Sequence, residues 1–493
     1  MLKIKNNRLI LSSVWIIILL LSIFLFCNSL YFVPSIILLL TNVILCIFGL
    51  YYAIQKKNLY FMSPILLTIY SIMYYITVIG LFYFSKYNDI IELSYFKVPS
   101  NDTGFLVTVC CLYLLQIICL LLPYFYMIIK KNTKFFFFKF LKRNFNFLYL
   151  KYFLLLSQIL LIILFILLFV STGFSPMQAL FMPIYFRNAC MHGFANYIFV
   201  IFTSFILLHL VIVLKLLILD KQNDFFIKSV AIIFFMFYFI WAITSGARAW
   251  YVIFFLYSVY IYSLKSDLKI SLKTILSLVF AFFIMLLFCY GCHVYRNIQD
   301  DIAHNRVTIK SKYNLLSSSI ERDDDFASSF NYFVYLERNY GSILNYNDFA
   351  LCKQWKSQFT NVIPRELLPD KNFPISAELT KIIYPQAWNG NVTILFGGLV
   401  NSYYTLGIVG VILDALLLGI GIAILEGCFH ILVQYDMFQI FYILLGSDLI
   451  IDFFYTGYLN TSLSYKLIFQ IIFLSFILSL LTKRKFINKH KRL

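Results

Sequence analysis

The sequence predicts an all-α, polytopic membrane protein with about twelve transmembrane helices and one long outward-facing loop. Three observations carry this reading. Of the 493 residues, 62% are apolar, 20% aromatic and only 13% charged, whereas charged residues make up about a quarter of soluble domains. Apolar runs near twenty residues recur along the chain, and each can cross about 30 Å of hydrocarbon as a helix. The segment from Gly291 to Leu399 breaks the pattern, holding 11 Lys/Arg and 11 of the 22 Asp/Glu.

The runs place spans at residues 9–26, 33–53, 60–84, 104–129, 152–171, 195–218, 229–243, 250–264, 274–290, 403–425, 437–453 and 465–482. The first follows Lys3, Lys5 and Arg8 in the manner of a signal peptide. No small-residue cleavage site follows it and a second apolar run starts at Val33, so it is read as a span. The chain then divides into helices one to nine with short loops (1–290), an extracytoplasmic loop (291–399), and helices ten to twelve with a basic tail (400–493).

The net charge of +18 resembles a nucleic-acid footprint, but its placement says otherwise. With the N-terminus inside, more than half of the Lys/Arg fall in cytoplasmic segments. These include Lys56 and Lys57, the run from Lys130 to Lys151, and the tail from Lys483 to Arg492. The four outer loops before the long one hold only Lys86, Lys97, Arg187 and Arg248. This is the positive-inside asymmetry that orients helices in a bilayer. The charge sets topology with both termini cytoplasmic, and no nucleic-acid partner is expected.

The ten cysteines form no framework. Cys110, Cys111 and Cys119 lie within one span, and Cys289 and Cys292 make a lone CxxC without further ligands. Apolar packing is the simpler role. The longest inner connection, KKNTKFFFFKFLKRNFNF, alternates cations with aromatics and suits the headgroup interface, with membrane lipids as its partners. No glycine loop for a nucleotide is present, which argues against a primary pump.

Within the long loop, Phe326 to Tyr346 carries aromatics at helical spacing, interrupted by Glu337 and Arg338, and reads as short amphipathic helices over the mouth of the bundle. Pro364, Pro369 and Pro374 make the following stretch irregular.

Outer arginines recur. Arg187 lies in STGFSPMQALFMPIYFRNACMHG, Arg248 in the tight connection TSGARAW, Arg296 after the ninth span, and Arg365 in IPRELLPDK. A guanidinium is planar, permanently charged and bidentate, so several converging on one place suit a phosphate or diphosphate. Each alone also suits the ordinary role of an interfacial arginine, reaching headgroups or a nearby acid. His293, Glu337, Glu378 and Asp102 are the candidate general bases on that side. Trp355, Trp388 and Tyr384 could stack on pyranose rings or form the loop's own core. Asp414, Glu426, Asp448 and Asp452 fall in or near spans, where a carboxylate is costly unless paired or wet. Proton-relay or ion-coupling use is the rival role for them. No clustered Asp/His set typical of a metal site occurs, so neither metal nor cofactor is expected.

The run NVIPRELLPDKNFP from Asn361, followed by FGGLVNSYYTLGIVGVILDALLLGI, resembles the late outer loop and following helix of Wzy-type oligosaccharide repeat-unit polymerases, the O-antigen and capsule polymerases. The matching elements are Pro364-Arg365, Pro369-Asp370-Lys371, Phe373-Pro374, Gly397-Gly398, Tyr403-Tyr404, and Gly407 to Gly410 opening a helix. The motif part spans about 60 residues; the rest of the likeness is topology, with one long outer loop late in the chain. In one respect this chain departs: where the family pattern leads one to expect an acid beside the glycines, Leu399-Val400-Asn401 stand. Asn401 can position a ligand but is no base.

The resemblance implies a membrane glycosyltransferase fold of the GT-C-like type in the bacterial cytoplasmic (inner) membrane. It implies polymerisation of undecaprenyl-diphosphate-linked oligosaccharide units, with a chain-length regulator as a further partner. Arg187, Arg248, Arg296, Arg365, Lys371, Asn401 and Tyr403 would contact diphosphate or glycan, and His293 and Glu378 would serve in catalysis. An O-antigen ligase is the alternative within the same chemistry, and a flippase or transporter of lipid-linked sugars the alternative outside it. A transporter would be expected to show internal repeats, and none is visible here.

Overall fold

The computed structural model describes residues 16–55, 64–86, 103–130, 144–145, 147–190, 193–219, 224–245, 249–264, 325–340, 375–383, 397–432, 434–444 and 446, with isolated positions between 277 and 291. Among the described residues the protein is helical, without strands. Six helices are long and apolar enough to cross a membrane, by length and composition. They correspond to predicted spans two, four, five, six, seven and ten. Shorter apolar helices at Ile16–Cys27, Thr68–Val78 and Trp250–Tyr262 fall in predicted spans one, three and eight. The predicted span at 465–482 lies outside the described residues.

In chain order the helices are α1 (Ile16–Cys27), α2 (Phe32–Gln55), α3 (Pro64–Lys86), α4 (Thr103–Lys130), α5 (Phe147–Thr172), α6 (Pro176–Phe181), α7 (Pro183–Cys190), α8 (Gly193–Ile218), α9 (Phe225–Ser245), α10 (Ala249–Ser263), α11 (Asp325–Tyr340), α12 (Ile375–Ile383), α13 (Gly398–Leu432) and α14 (436–444). Their limits follow from local chemistry. Helix α5 contains neither Gly nor Pro, and stops where Gly173 takes φ 72° and donates its amide to the Phe169 carbonyl at 2.9 Å. That is the left-handed glycine cap. Ser175 then caps α6. Its hydroxyl accepts the Gln178 amide at 3.2 Å, Gln178 Oε1 accepts the Ser175 amide at 2.9 Å, and Pro176 fills the first helical position.

The chain forms two compact units. The first contains α1 to α4, α11, α12 and nearly all of α13. Helix α2 packs on α3 and α4, and α11 lies against α4 and α3. Polar side chains stitch these helices together. Asn42 donates to Ser22 Oγ at 2.8 Å and accepts from Thr77, and Tyr113 donates its hydroxyl to the Met73 carbonyl at 3.1 Å. Where lipid cannot supply a hydrophobic drive between helices, such bonds and close packing hold them. Close packing appears at Gly419, where an added Cβ would overlap the Leu120 carbonyl and sit 3.1 Å from Pro123 Cγ.

The second unit contains α5 to α10 and α14. Helix α8 is its centre, buried from Phe202 to Leu216 and packed by α5, α10, α7 and α9. Phe165, Phe202 and Trp241 form its aromatic core, with Trp241 4.7 Å from Phe202. Helix α5 instead turns Leu156, Ile166 and Val170 outward, the face that hydrocarbon would cover. Cysteines 46, 110, 119, 190 and 428 are buried and, among the described residues, form no disulfide.

Candidate functional site

The long polar segment contributes α11, and its aromatics do form an amphipathic helix. Phe333, Val334 and Leu336 are buried, while Arg338 and Asn339 are exposed. Glu337 stands at the margin between these faces, half-buried. Its Oε1 accepts the Tyr404 hydroxyl of α13 at 2.8 Å. One turn earlier on α11, Phe333 meets the Tyr403 ring edge-on at 5.0 Å. Thus α11 is joined to the start of α13 by the Glu337–Tyr404 hydrogen bond and by the Phe333 ring, which meets both Tyr403 and Tyr404.

Helix α13 is two helices in series. Leu406 and Gly407 leave helical geometry, with Gly407 at φ 63° and ψ −145°. Only a residue without a Cβ enters that region cheaply. The short first segment carries Asn401, Ser402 and Thr405, all buried, and the long second segment carries Asp414, fully buried. Ser402 Oγ donates to Asp414 Oδ2 at 2.7 Å, so a hydrogen bond spans the break. The Ser402 carbonyl presses on Gly410, where a Cβ would overlap it. The expected helix opening at Gly407 to Gly410 is therefore a restart, and roughly two turns of helix precede it.

Of the predicted residues in this unit, Glu337 and Tyr403 lie at the α11–α13 junction, and Asn401 lies in the same first segment of α13. Asn401 is buried, with its amide donating to the Gly397 carbonyl at 3.1 Å. Tyr403 is half-buried. Glu378 lies in the first turn of α12, also half-buried. Arg365, Lys371, Asp102, Tyr384, Trp355, Trp388, Asp448 and Asp452 lie outside the described residues.

In the second unit, Arg187 occupies the last turn of α7. That helix packs on α9, α5 and α8, and its Phe186 ring stacks on Phe169 at 5.0 Å. Arg187 is thereby set near the end of α5. Arg248 falls in the three residues between α9 and α10, outside the described residues, as do His293 and Arg296. The hairpin around it is held by the Tyr238 hydroxyl, which donates to the Trp250 carbonyl at 2.6 Å.

Sequence reasoning missed three polar pairs. Lys215, buried near the end of α8, binds Asp436 at 2.8 Å, and Asp436 also accepts the Phe145 amide at 2.9 Å. Lys151 bonds to Asp224, and this hydrogen bond holds the Asp224 carboxyl below the usual carboxylate range. Ser157 Oγ meets His209 Nδ1 at 2.7 Å in the core of the unit. A lone Lys or His inside an apolar run was the available signal. The partner lies far off in sequence and could not be paired by inspection.

The fold and these buried pairs define a helical membrane protein. No known family model matches the chain, and neither does any curated protein or solved structure.

Proposed function

We propose that the protein is a glycosyltransferase of the membrane-embedded kind that polymerises undecaprenyl-diphosphate-linked oligosaccharide repeat units. Its product would be an O-antigen or capsule polysaccharide, made on the outer face of the cytoplasmic membrane. The observation that carries this reading is the Glu337–Tyr404 bond. It ties a helix of the one long polar segment to Tyr403-Tyr404, within the run that resembles the polymerases. Arg187, Arg248, Arg296, Arg365 and Lys371 are the cations assigned to the diphosphate and glycan. As the bond between the donor glycan and its lipid diphosphate breaks, negative charge grows on the leaving group, and fixed guanidinium donors stabilise it. Asn401 and Tyr403 are assigned to the glycan.

One observation favours a second reading. A membrane helix broken at Gly407 with a buried carboxylate beside the break is a feature of transporters, which build ion or substrate sites from discontinuous helices. The two readings part in a test with purified protein. A polymerase elongates lipid-linked repeat units in detergent, where no gradient exists. If the wild-type protein fails to elongate them yet moves the same lipid across liposome membranes in response to a gradient, the transporter reading replaces the enzyme.

A further inference from the structure

We infer that Glu337, ahead of Glu378 and His293, is the group that takes the proton from the acceptor sugar hydroxyl, and that Tyr404 is its positioning residue; this rests on the polymerase reading. Three features of the α11–α13 junction lead there. A general base must be both held in place and reachable. Glu337 is held because α11 buries Phe333, Val334 and Leu336 against its unit and because Tyr404 donates to Oε1. It is reachable because it stands where the buried face of α11 gives way to exposed Arg338 and Asn339.

The second feature is acceptor capacity. An ionised carboxylate only accepts hydrogen bonds, on two oxygens. Tyr404 occupies Oε1, and among the described residues no hydrogen bond or ion pair engages Oε2. The third is the neighbouring ring. Tyr403 is half-buried and its ring is fixed against those of Phe333, one turn before Glu337, and Tyr404, the anchor of Glu337. A carboxylate held within an aromatic cluster suits a pyranose, whose hydroxyls need an acceptor and whose C–H face needs an apolar surface.

The step balances as follows. Oε2 of Glu337 removes the proton of the acceptor hydroxyl, and the hydroxyl oxygen forms a bond to the anomeric carbon of the donor glycan. The bond from that carbon to the lipid diphosphate breaks, and its electron pair leaves on the diphosphate.

The test uses the full-length protein in detergent with lipid-linked repeat units isolated from cells lacking the gene. Glu337→Gln retains an oxygen for the Tyr404 bond, so it tests chemistry with the junction intact. It is expected to lower kcat about 10²- to 10⁴-fold with KM and lipid-unit binding little changed. Glu337→Ala is expected to regain turnover when sodium formate is added, because a small carboxylate fills the vacated place. Adding Tyr404→Phe to Glu337→Ala should weaken that rescue, which a merely structural tyrosine would not do. Elongation by Glu337→Gln within twofold of wild type, or no rescue by formate in a Glu337→Ala protein that still binds the lipid unit, would overturn the assignment. Absence of elongation by the wild-type protein is a separate result, and it would overturn the polymerase reading and this inference with it.

Discussion

A carboxylate fully buried in an apolar helix is costly unless something answers its charge or its lone pairs. Asp414 is met by the Ser402 hydroxyl. Asp436, only partly buried, is met by the Lys215 ammonium and the Phe145 amide, so breaking that pair costs less than the ~3–5 kcal/mol typical of a fully buried one. These residues therefore have a sufficient reason to exist in holding helices together. The arginines are given a different role in the proposed reading, as donors to the lipid diphosphate. Arg248→Ala and Arg365→Ala should each abolish polymerisation at unchanged protein level, as read from surface glycan length in cells. Arg→Lys should restore little, because an ammonium is a point charge without the bidentate fork. Full activity in both lysine variants would reduce the role to generic positive charge.

Among the helices, α13 has the most unusual construction, and glycine explains it. Gly407 allows the break, Gly410 admits the Ser402 carbonyl, and Gly419 admits the Leu120 carbonyl of α4. Gly421, two residues on, faces open space. Alanine substitution should separate these roles in thermal unfolding in detergent. Gly410→Ala and Gly419→Ala should each destabilise by about 1–3 kcal/mol, since the obstacle is backbone and cannot swing aside. Gly407→Ala should cost about 1–3 kcal/mol through the positive-φ backbone conformation alone. Gly421→Ala should be neutral, or stabilising by up to about 1 kcal/mol through helix propensity. Equal effects at all four positions would remove the distinction drawn between close approach, backbone strain and open space.

For the whole molecule, orientation is the property on which every site assignment depends. The proposed reading takes its orientation from the Lys/Arg asymmetry, which predicts the termini inside and the long polar segment outside. Membrane-impermeant thiol reagents applied to intact cells should label Ser318→Cys and Ser376→Cys, and leave Thr133→Cys and Asn488→Cys untouched. Labelling at position 133 would invert the molecule and move the arginines to the wrong face.

Class and helix placement were legible in the sequence because they depend on local quantities. An apolar run of sufficient length must become a helix in lipid, since every backbone polar group has to be satisfied within the segment. Spans two, four, five, six, seven and ten accordingly reappear with shifts of a few residues at their ends. The amphipathic character of α11 was likewise readable from its aromatic spacing. The partnerships needed the tertiary structure. Glu337 lies 67 positions from Tyr404, and Lys215 and Asp436 come from different helices. The break in α13 also stayed hidden, because Leu406-Gly407 in an apolar run is compatible with continuous helix. Gly407 permits it, and the Ser402–Asp414 hydrogen bond and the approach of the Ser402 carbonyl to Gly410 accompany it in the folded chain. Composition and periodicity determine what each segment becomes, whereas a hydrogen bond across the fold depends on where two distant backbones are brought, which no single segment specifies.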